Sequence, residues 1–244
     1  MALLETRGLT KVFGQLTALA GIDLTVEEGE FHGLIGPNGS GKTTAMKCIA
    51  GAEAPTQGKI VFAGRDITDA TPAERARAGL SLKFQITSVL PALTVYDNVL
   101  LALQGQTPLA ELMFSRTRRT LHGEVMQTLE QFRLADRAEE PAASLSHGQQ
   151  QWLEIAMALA LKPKLLLLDE PTGGMSLEER RVTGELLEPI KRGCSLVIVE
   201  HDLDFIRDIC DVLTVLDQGV VVESGTVEQV QGSHKVQEVY LTRV

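Results

Sequence analysis

The sequence has no excess of positive charge. Its 244 residues contain 23 Lys and Arg against 32 Asp and Glu, a formal net charge of −9. A protein that binds nucleic acid along its backbone needs clustered Lys and Arg to neutralise the phosphates. The charge balance therefore argues against a general nucleic-acid binder. It remains compatible with a nucleotide site, which needs only a local group of donors.

Cysteine is scarce and shows no pattern. The three residues Cys48, Cys194 and Cys210 are far apart and match neither a CxxC motif nor the spacing of a zinc site. We expect reduced, buried thiols in a cytosolic protein.

Long apolar runs are also absent. No uninterrupted stretch approaches the roughly 20 apolar residues that a membrane-spanning helix needs. The start, "MALLETRGLTK", has no apolar region behind a basic segment and does not read as a signal peptide. For work at a membrane, we expect another subunit to supply the anchor.

The order of segment types predicts an α/β core with a helical insert. Strand-like segments dominate up to residue 85, helical patterns follow over 86–161, and continuous apolar runs return over 162–244, such as "LLLLD" and "SLVIV". Continuous rather than alternating runs are typical of parallel strands buried on both faces. The length suits one large domain with an insert.

A phosphate-binding loop is the clearest motif. "GPNGSGKTT" at residues 36–44 fits the pattern GxxxxGK[ST] and lies between a strand-like and a helix-like segment. Glycines let backbone N–H groups turn inward on phosphate oxygens, and the helix N-terminus adds positive partial charge. The predicted ATP contacts are Gly36, Pro37, Asn38, Gly39, Ser40, Gly41, Lys42, Thr43 and Thr44. Lys42 would reach the β- and γ-phosphates, and the Thr43 hydroxyl would bind Mg²⁺.

Polar residues follow two later apolar segments. Asp169 and Glu170 end "LLLLDE", and His201 ends "SLVIVEH". Ligands of open α/β sheets bind beyond the carboxyl ends of the strands. Asp169 is expected to hold Mg²⁺ or its water, and Glu170 to orient or deprotonate the attacking water. Taken alone, an acidic strand end is commonplace, and a lone His is more often structural.

Two further residues have a functional and a structural interpretation. Gln85 lies where the core gives way to the insert, and its amide suits Mg²⁺ or water as well as an ordinary polar loop. Phe13, upstream of the phosphate loop, suits stacking on a base as well as packing in a small sheet.

Taken together, these motifs resemble the ATP-binding subunit of an ABC transporter. The phosphate loop, Gln85, "LSHGQ" (residues 145–149), "LLLLDEPT" and His201 occur in this order across nearly the whole chain. The resemblance implies a RecA-like phosphate-loop ATPase core, an antiparallel β-subdomain and an inserted α-helical subdomain. It implies ATP and Mg²⁺ as cofactors, Gln85, Glu170 and His201 as catalytic residues, and Gln85 as a metal ligand beside Thr43 and Asp169. It also implies that Phe13 stacks on the base, and that the signature residues Ser146, His147, Gly148 and Gln149 close over ATP held by a second subunit.

Several longer segments, among them "KVFGQLTALAGIDLTV" and "IVEHDLDFI", are similar to the branched-chain amino-acid importer branch of this family. The stretch "LSHGQ" followed by "QWLEI" is similar to members of that branch serving urea or short amides. That branch implies a head-to-tail pair of ATPase subunits, identical or related, two membrane permease subunits and an extracytoplasmic solute-binding protein. The expected location is the cytoplasmic face of the inner membrane. Two positions depart from the family pattern: His147 replaces the central Gly of LSGGQ, and the D-loop reads Gly173-Gly174-Met175-Ser176 without its usual Asp.

Other functions fit the sequence less well. A soluble ABC-type ATPase acting on nucleic acid or ribosomes usually has two ATPase halves or a coiled-coil insert, whereas this chain has one half and is acidic. A small phosphate-loop kinase leaves "LSHGQ" and His201 without a role. An exporter subunit is disfavoured only by the resemblance to the importer branch.

Overall fold

The computed structural model describes residues 1–83, 89–105 and 117–241. Within these ranges ten strands form two sheets. The strands are β1 (Ala2–Phe13), β2 (Leu16–Glu27), β3 (Phe31–Ile35), β4 (Gln57–Phe62), β5 (Arg65–Asp66), β6 (Leu80–Lys83), β7 (Leu165–Asp169), β8 (Ser195–Val199), β9 (Val212–Asp217) and β10 (Val220–Thr226).

Ten α-helices lie in the same ranges. They are α1 (Lys42–Ala50), α2 (Pro72–Ala78), α3 (Val95–Gln104), α4 (Thr117–Thr120), α5 (His122–Gln131), α6 (His147–Ala160), α7 (Leu177–Leu187), α8 (Leu203–Ile209), α9 (Val227–Gln231) and α10 (His234–Leu241). Short 3₁₀ turns cover Ala135–Arg137, Ala142–Ser144 and Glu188–Arg192. No helix of the described ranges combines the length and apolarity required to span a bilayer.

The larger sheet carries the predicted site. Its strand order is β10-β9-β3-β8-β7-β6, and the five strands from β9 to β6 are parallel, with β10 antiparallel at one edge. Every residue of β3, β7 and β8 is buried. Helices cover both faces, so the continuous apolar runs of the sequence are required at these strands. The prediction of parallel, doubly buried strands is confirmed.

The smaller sheet is antiparallel, in the order β2-β1-β4-β5. Its inner face, which includes Leu4, Ile22 and Phe62, packs in one core with Ile49 of α1 and Leu167 of β7. This contact fixes the long hairpin of β1 and β2 beside the phosphate loop. The predicted antiparallel β-subdomain is therefore present.

Helices α3 to α6 lie between β6 and β7 in the chain and form the predicted helical insert. Val99 of α3, Leu129 of α5 and Leu153 of α6 are fully buried in a core that continues under the central sheet through Leu166 and Leu168. Helix α3 begins at the N-cap Thr94, whose side chain accepts a hydrogen bond from the Asp97 amide. The fold is thus α/β, with a phosphate-loop core, an antiparallel sheet and a helical insert.

Candidate nucleotide site

The loop between β3 and α1 has a shape that only glycine permits at two points. Gly36 has φ 146°, and a Cβ there would lie 2.1 Å from the carbonyl oxygen of Leu216. Gly41 precedes α1 with φ 106°, and a Cβ there would lie 2.6 Å from the carbonyl oxygen of Ala18. These positions bring the loop backbone close to β9 and β2, where any side chain would force the loop outward.

Lys42 begins helix α1 and turns back into the loop. Its Nζ donates hydrogen bonds to the carbonyl oxygens of Gly36 (2.8 Å) and Pro37 (3.0 Å). Burial lowers the pKa of Lys42, while the nearby carboxylates of Glu170 and Asp169 act in the opposite direction. The ammonium group is therefore held inside the loop where the phosphates of a nucleotide would lie.

Asp169 ends β7 beside Thr43, which is the second residue of α1. Burial raises the pKa of Asp169, and the neighbouring Glu170 raises it further, while a hydrogen bond from the Thr43 hydroxyl lowers it. Its Oδ1 is buried and has no hydrogen-bond partner in the described part of the chain. A hydroxyl beside a carboxylate with an unused oxygen is a donor set that suits Mg²⁺, which prefers hard oxygen ligands.

Glu170 and His201 meet across the ends of β7 and β8. Nε2 of His201 lies 2.8 Å from Oε1 of Glu170. Glu170 has φ 48°, an uncommon conformation for a residue with a side chain. The turn that starts with it thus directs its carboxylate toward the histidine on the next strand.

Glu200, which was not among the predicted site residues, fixes the two strand ends relative to each other. Its buried carboxylate accepts hydrogen bonds from the amide (2.7 Å) and hydroxyl (2.6 Å) of Thr172 and from the amide of His201 (3.1 Å). The available signal was a carboxylate at the end of the apolar run "SLVIV", directly before His201.

A cleft of about 470 Å³ joins most of the predicted residues. It is lined by the phosphate loop from Asn38 to Thr44, by Glu170 and His201, and by Phe13. Phe13 is 43% exposed, with Lys11 Nζ 4.7 Å from the centroid of its ring. Leu16 and Gln218 also line the cleft, although neither was predicted. Gln85 lies outside the described residues.

The signature segment, residues 146–149, lies outside this cleft, at the start of α6. Ser146 is the N-cap of α6: its Oγ accepts a hydrogen bond from the Gln149 amide (3.3 Å), and Gln149 Oε1 accepts one from the Ser146 amide (3.1 Å). In the described part of the chain, none of residues 146–149 lines the cleft. The structure therefore separates the predicted nucleotide contacts into two groups on one subunit.

Inside the subunit, the signature segment packs against the loop and helix that follow Glu170. A Cβ at Gly148 would lie 2.5 Å from Oε1 of Glu179. Ser176 is the N-cap of α7, and its amide and hydroxyl both donate to Glu179 Oε2 at 2.9 Å. Gly148 thus has a packing reason within its own chain, and Ser176, where the family has Asp, acts as a helix cap.

Comparison with known proteins places these features in one family. The ABC transporter family model matches residues 19–173. The probable branched-chain amino acid transport ATP-binding protein LivG of Archaeoglobus fulgidus is 36% identical over 248 residues, which cover 99% of this chain and 96% of that protein. The methionine import ATP-binding protein MetN of Streptomyces coelicolor is 36% identical over 239 residues. This match covers 92% of the chain, which spans 66% of the length of MetN.

Solved structures agree. The crystal structure of an ATP-binding cassette of an ABC transporter in its ADP conformation has a TM-score of 0.87 at 30% identity, covering 99% of both chains. A dimeric cassette in a post-hydrolysis state, bound to ADP and phosphate, has a TM-score of 0.79 at 27% identity, covering 92% of this chain and 98% of the other. The chain therefore belongs to the ABC transporter family, and it is an ATP-binding cassette of the ATPase type.

Proposed function

We propose that this chain is the ATP-hydrolysing subunit of an ABC importer. The observation that carries the proposal is the pair of Glu170 and His201, 2.8 Å apart, in the cleft that Lys42 and the phosphate loop also line. A carboxylate held beside a phosphate-binding loop can orient or deprotonate an attacking water. Binding and hydrolysis of a nucleoside triphosphate would therefore take place in the same cleft.

The predicted residues of the site have specific parts in this reaction. The phosphate-loop amides and Lys42 bind and orient the phosphates, and Phe13, which lines the cleft and is partly exposed, stacks on the adenine. Glu170 accepts the proton of the attacking water, while His201 keeps that carboxylate in place. Thr43 and Asp169 would hold Mg²⁺, which supplies charge neutralisation at the β- and γ-phosphates when bound.

The signature segment suggests how two subunits combine. Ser146 caps the 14-residue helix α6, and His147, Gly148 and Gln149 form its first turn, where the helix N-terminus carries positive partial charge. These residues do not line the cleft of their own described chain, so an ATP that they contact has to be held by another subunit. A related cassette is dimeric in its ADP- and phosphate-bound state, which supports a paired arrangement. We infer a head-to-tail dimer, with an identical or related chain, that closes around ATP.

The transported solute and the membrane partners follow from relatives. The match to LivG covers nearly the whole length of both chains, and LivG is named for branched-chain amino acid transport. We therefore propose that the solute is a branched-chain amino acid or a related small solute such as urea or a short amide. Leu90, Leu93 and Leu101 expose 42, 36 and 45% of their surface before and within α3 and offer an apolar surface to the permease subunits. The place of action would be the cytoplasmic face of the inner membrane.

Glu170→Gln tests the enzymatic part of the proposal. The amide keeps the size of the side chain and removes its basicity, so we expect ATP hydrolysis to fall by at least about 100-fold. ATP affinity should stay within about twofold of wild type, because the phosphates lose no cationic partner. Phosphate release and equilibrium binding of a fluorescent ATP analogue measure the two quantities.

Two further variants complete the experiment. Lys42→Ala should weaken ATP binding itself, because the phosphates lose their main cation. Glu139→Gln, at a carboxylate that is 78% exposed in the helical insert, should leave both quantities unchanged. Hydrolysis at the wild-type rate in Glu170→Gln would remove Glu170 from the mechanism.

A further inference from the structure

The side chain of His147 reaches across to the loop that follows the catalytic carboxylate of the same subunit. Its Nε2 lies 3.0 Å from the carbonyl oxygen of Gly173. A carbonyl oxygen can only accept a hydrogen bond, so Nε2 carries the proton and donates it. Both the neutral Nε2–H form and the imidazolium make this bond. A glycine at position 147, as in the usual signature, offers no such donor.

Gly173 is tied in turn to Glu170. The Gly173 amide donates to the Glu170 carbonyl oxygen at 3.2 Å, which closes a turn over residues 170–173. Thr172, inside the turn, is fixed by its two hydrogen bonds to Glu200. The turn therefore has an anchor on the β8 side, at Glu200, and an anchor on the α6 side, at His147.

The loop is also shaped for the imidazole ring. Gly174 has φ 75°, and a Cβ at that position would lie 3.2 Å from both Cδ2 and Nε2 of His147. A side chain there would be strained and would crowd the ring. The replacement of the signature glycine by His147 and the pair of glycines in the loop thus form one fitted contact.

We propose that His147 is a positioning residue for hydrolysis, which acts through Gly173 on the catalytic carboxylate of its own subunit. The inference rests on the proposed dimer, in which the same helix start contacts the ATP of the partner subunit. Closure over the partner's ATP then fixes His147, and His147 fixes the turn that presents Glu170 to the subunit's own ATP. His147 and the loop after Glu170, the two places where the sequence departs from the family pattern, thereby connect the two ATP sites.

The experiment compares His147→Leu with His147→Gln. Leucine fills similar space and has no donor, whereas the glutamine amide can donate to the Gly173 carbonyl. We expect His147→Leu to lower kcat by about tenfold, with the KM for ATP within about twofold of wild type, because the lost contact orients Glu170 and touches no phosphate of the same site. His147→Gln should recover kcat to within about threefold of wild type.

Dimerisation separates this role from a direct contact with the partner's ATP. In the Glu170→Gln background, His147→Leu should still give the ATP-dependent dimer, measured by light scattering on a sizing column. Equal kcat values for wild type and His147→Leu would overturn the proposal, as would loss of the dimer in the His147→Leu, Glu170→Gln chain. If Glu170→Gln alone fails to dimerise while Leu and Gln at position 147 differ in kcat, the dimer is wrong and the link within the subunit stands.

Discussion

At the scale of single residues, the end of β7 places an ionisable acid where the fold disfavours its charge. Asp169 is buried, and its pKa is raised by that burial first and by the adjacent Glu170 second. A raised folded-state pKa means that the ionised carboxylate costs stability at every pH above that value. The cost disappears as the pH falls through the folded-state pKa toward the ordinary value of 3.8, where the unfolded chain also becomes protonated.

Asp169→Asn should therefore stabilise the nucleotide-free chain at neutral pH. We expect its melting temperature to rise by a few degrees, since about 1 kcal/mol corresponds to roughly 2–4 °C in a chain of this size. The gap to wild type should narrow as the pH is lowered from 7 toward 4. With Mg²⁺ and ATP the order should reverse, because only the wild type keeps the carboxylate ligand.

Thermal melts followed by circular dichroism across this pH range measure the effect. Asp208→Asn, at a carboxylate that is 69% exposed, is the matched control and should leave the melting temperature unchanged. A lower melting temperature for Asp169→Asn at neutral pH without nucleotide would show that the ionised form is stabilised instead.

The local motif could be predicted residue by residue, and the contacts between distant segments could not. The spacing of glycines, Lys42 and Thr43 is a property of nine consecutive residues, so the sequence predicts the loop directly. Glu200 and Glu179 act on Thr172 and Gly148, which are 28 and 31 positions away. Such partners are decided by how strands and helices pack, which a single sequence does not show.

At the scale of elements, a buried arginine of α2 binds the C-terminal turn of the phosphate-loop helix α1. Arg75 donates to the carbonyl oxygens of Cys48 and Ile49 in the last turn of α1, both at 2.7 Å, and also to those of Thr68 (2.8 Å) and Ala70 (3.0 Å). A guanidinium at a helix C-terminus satisfies carbonyls that have no partner within the helix. Arg75 therefore joins the phosphate-loop helix to the end of the small sheet.

Arg75→Lys should destabilise the chain by about 3 kcal/mol, because an ammonium group cannot reach all four carbonyl oxygens and leaves buried acceptors unpaired. Urea unfolding monitored by circular dichroism measures the change. Arg77→Lys, an exposed position two residues later on the same helix, should stay within about 0.5 kcal/mol of wild type. Equal effects of the two substitutions would show that Arg75 does not hold α1.

The sequence predicts which segments form strands better than it predicts where those strands begin and end. The runs in β7 and β8 are apolar at consecutive positions, which predicts strands buried on both faces, and this is what the sheet contains. Strand β1 covers Ala2–Phe13, well beyond its most strand-like stretch "LTKVF", because β2 and β4 pair with it from both sides. Pairing with distant strands, rather than local preference, sets its length.

At the scale of the whole molecule, the two groups of residues that we propose contact ATP would need a second subunit to meet. The phosphate loop, Glu170 and His201 share one cleft, while Ser146 begins α6 outside it. Because Gly148 also packs against Glu179 in its own chain, a substitution there would disturb the fold and the dimer together. Ser146 is the better position, because it is exposed, whereas Gly148 is buried, and because Asp, Asn and Ser are nearly equal as helix N-caps.

The most direct test of the proposed dimer is therefore the size of the Glu170→Gln chain in ATP when Ser146 is changed to Asp or to Asn. Both substitutions keep the cap of α6, but only Asp adds a negative charge. Its carboxylate would face and repel the γ-phosphate of the partner's ATP. The Ser146 hydroxyl also hydrogen-bonds Glu179 of its own chain, so Ser146→Asp should melt at a somewhat lower temperature than Ser146→Asn. Melting without nucleotide and the ATP affinity of each chain, measured first, show that each variant is folded and binds ATP. We predict that light scattering finds a dimer for Glu170→Gln and for its Ser146→Asn derivative, and a monomer for its Ser146→Asp derivative. A dimer of equal stability in all three chains, or no dimer in any, would contradict closure of this helix start over the ATP of a second subunit.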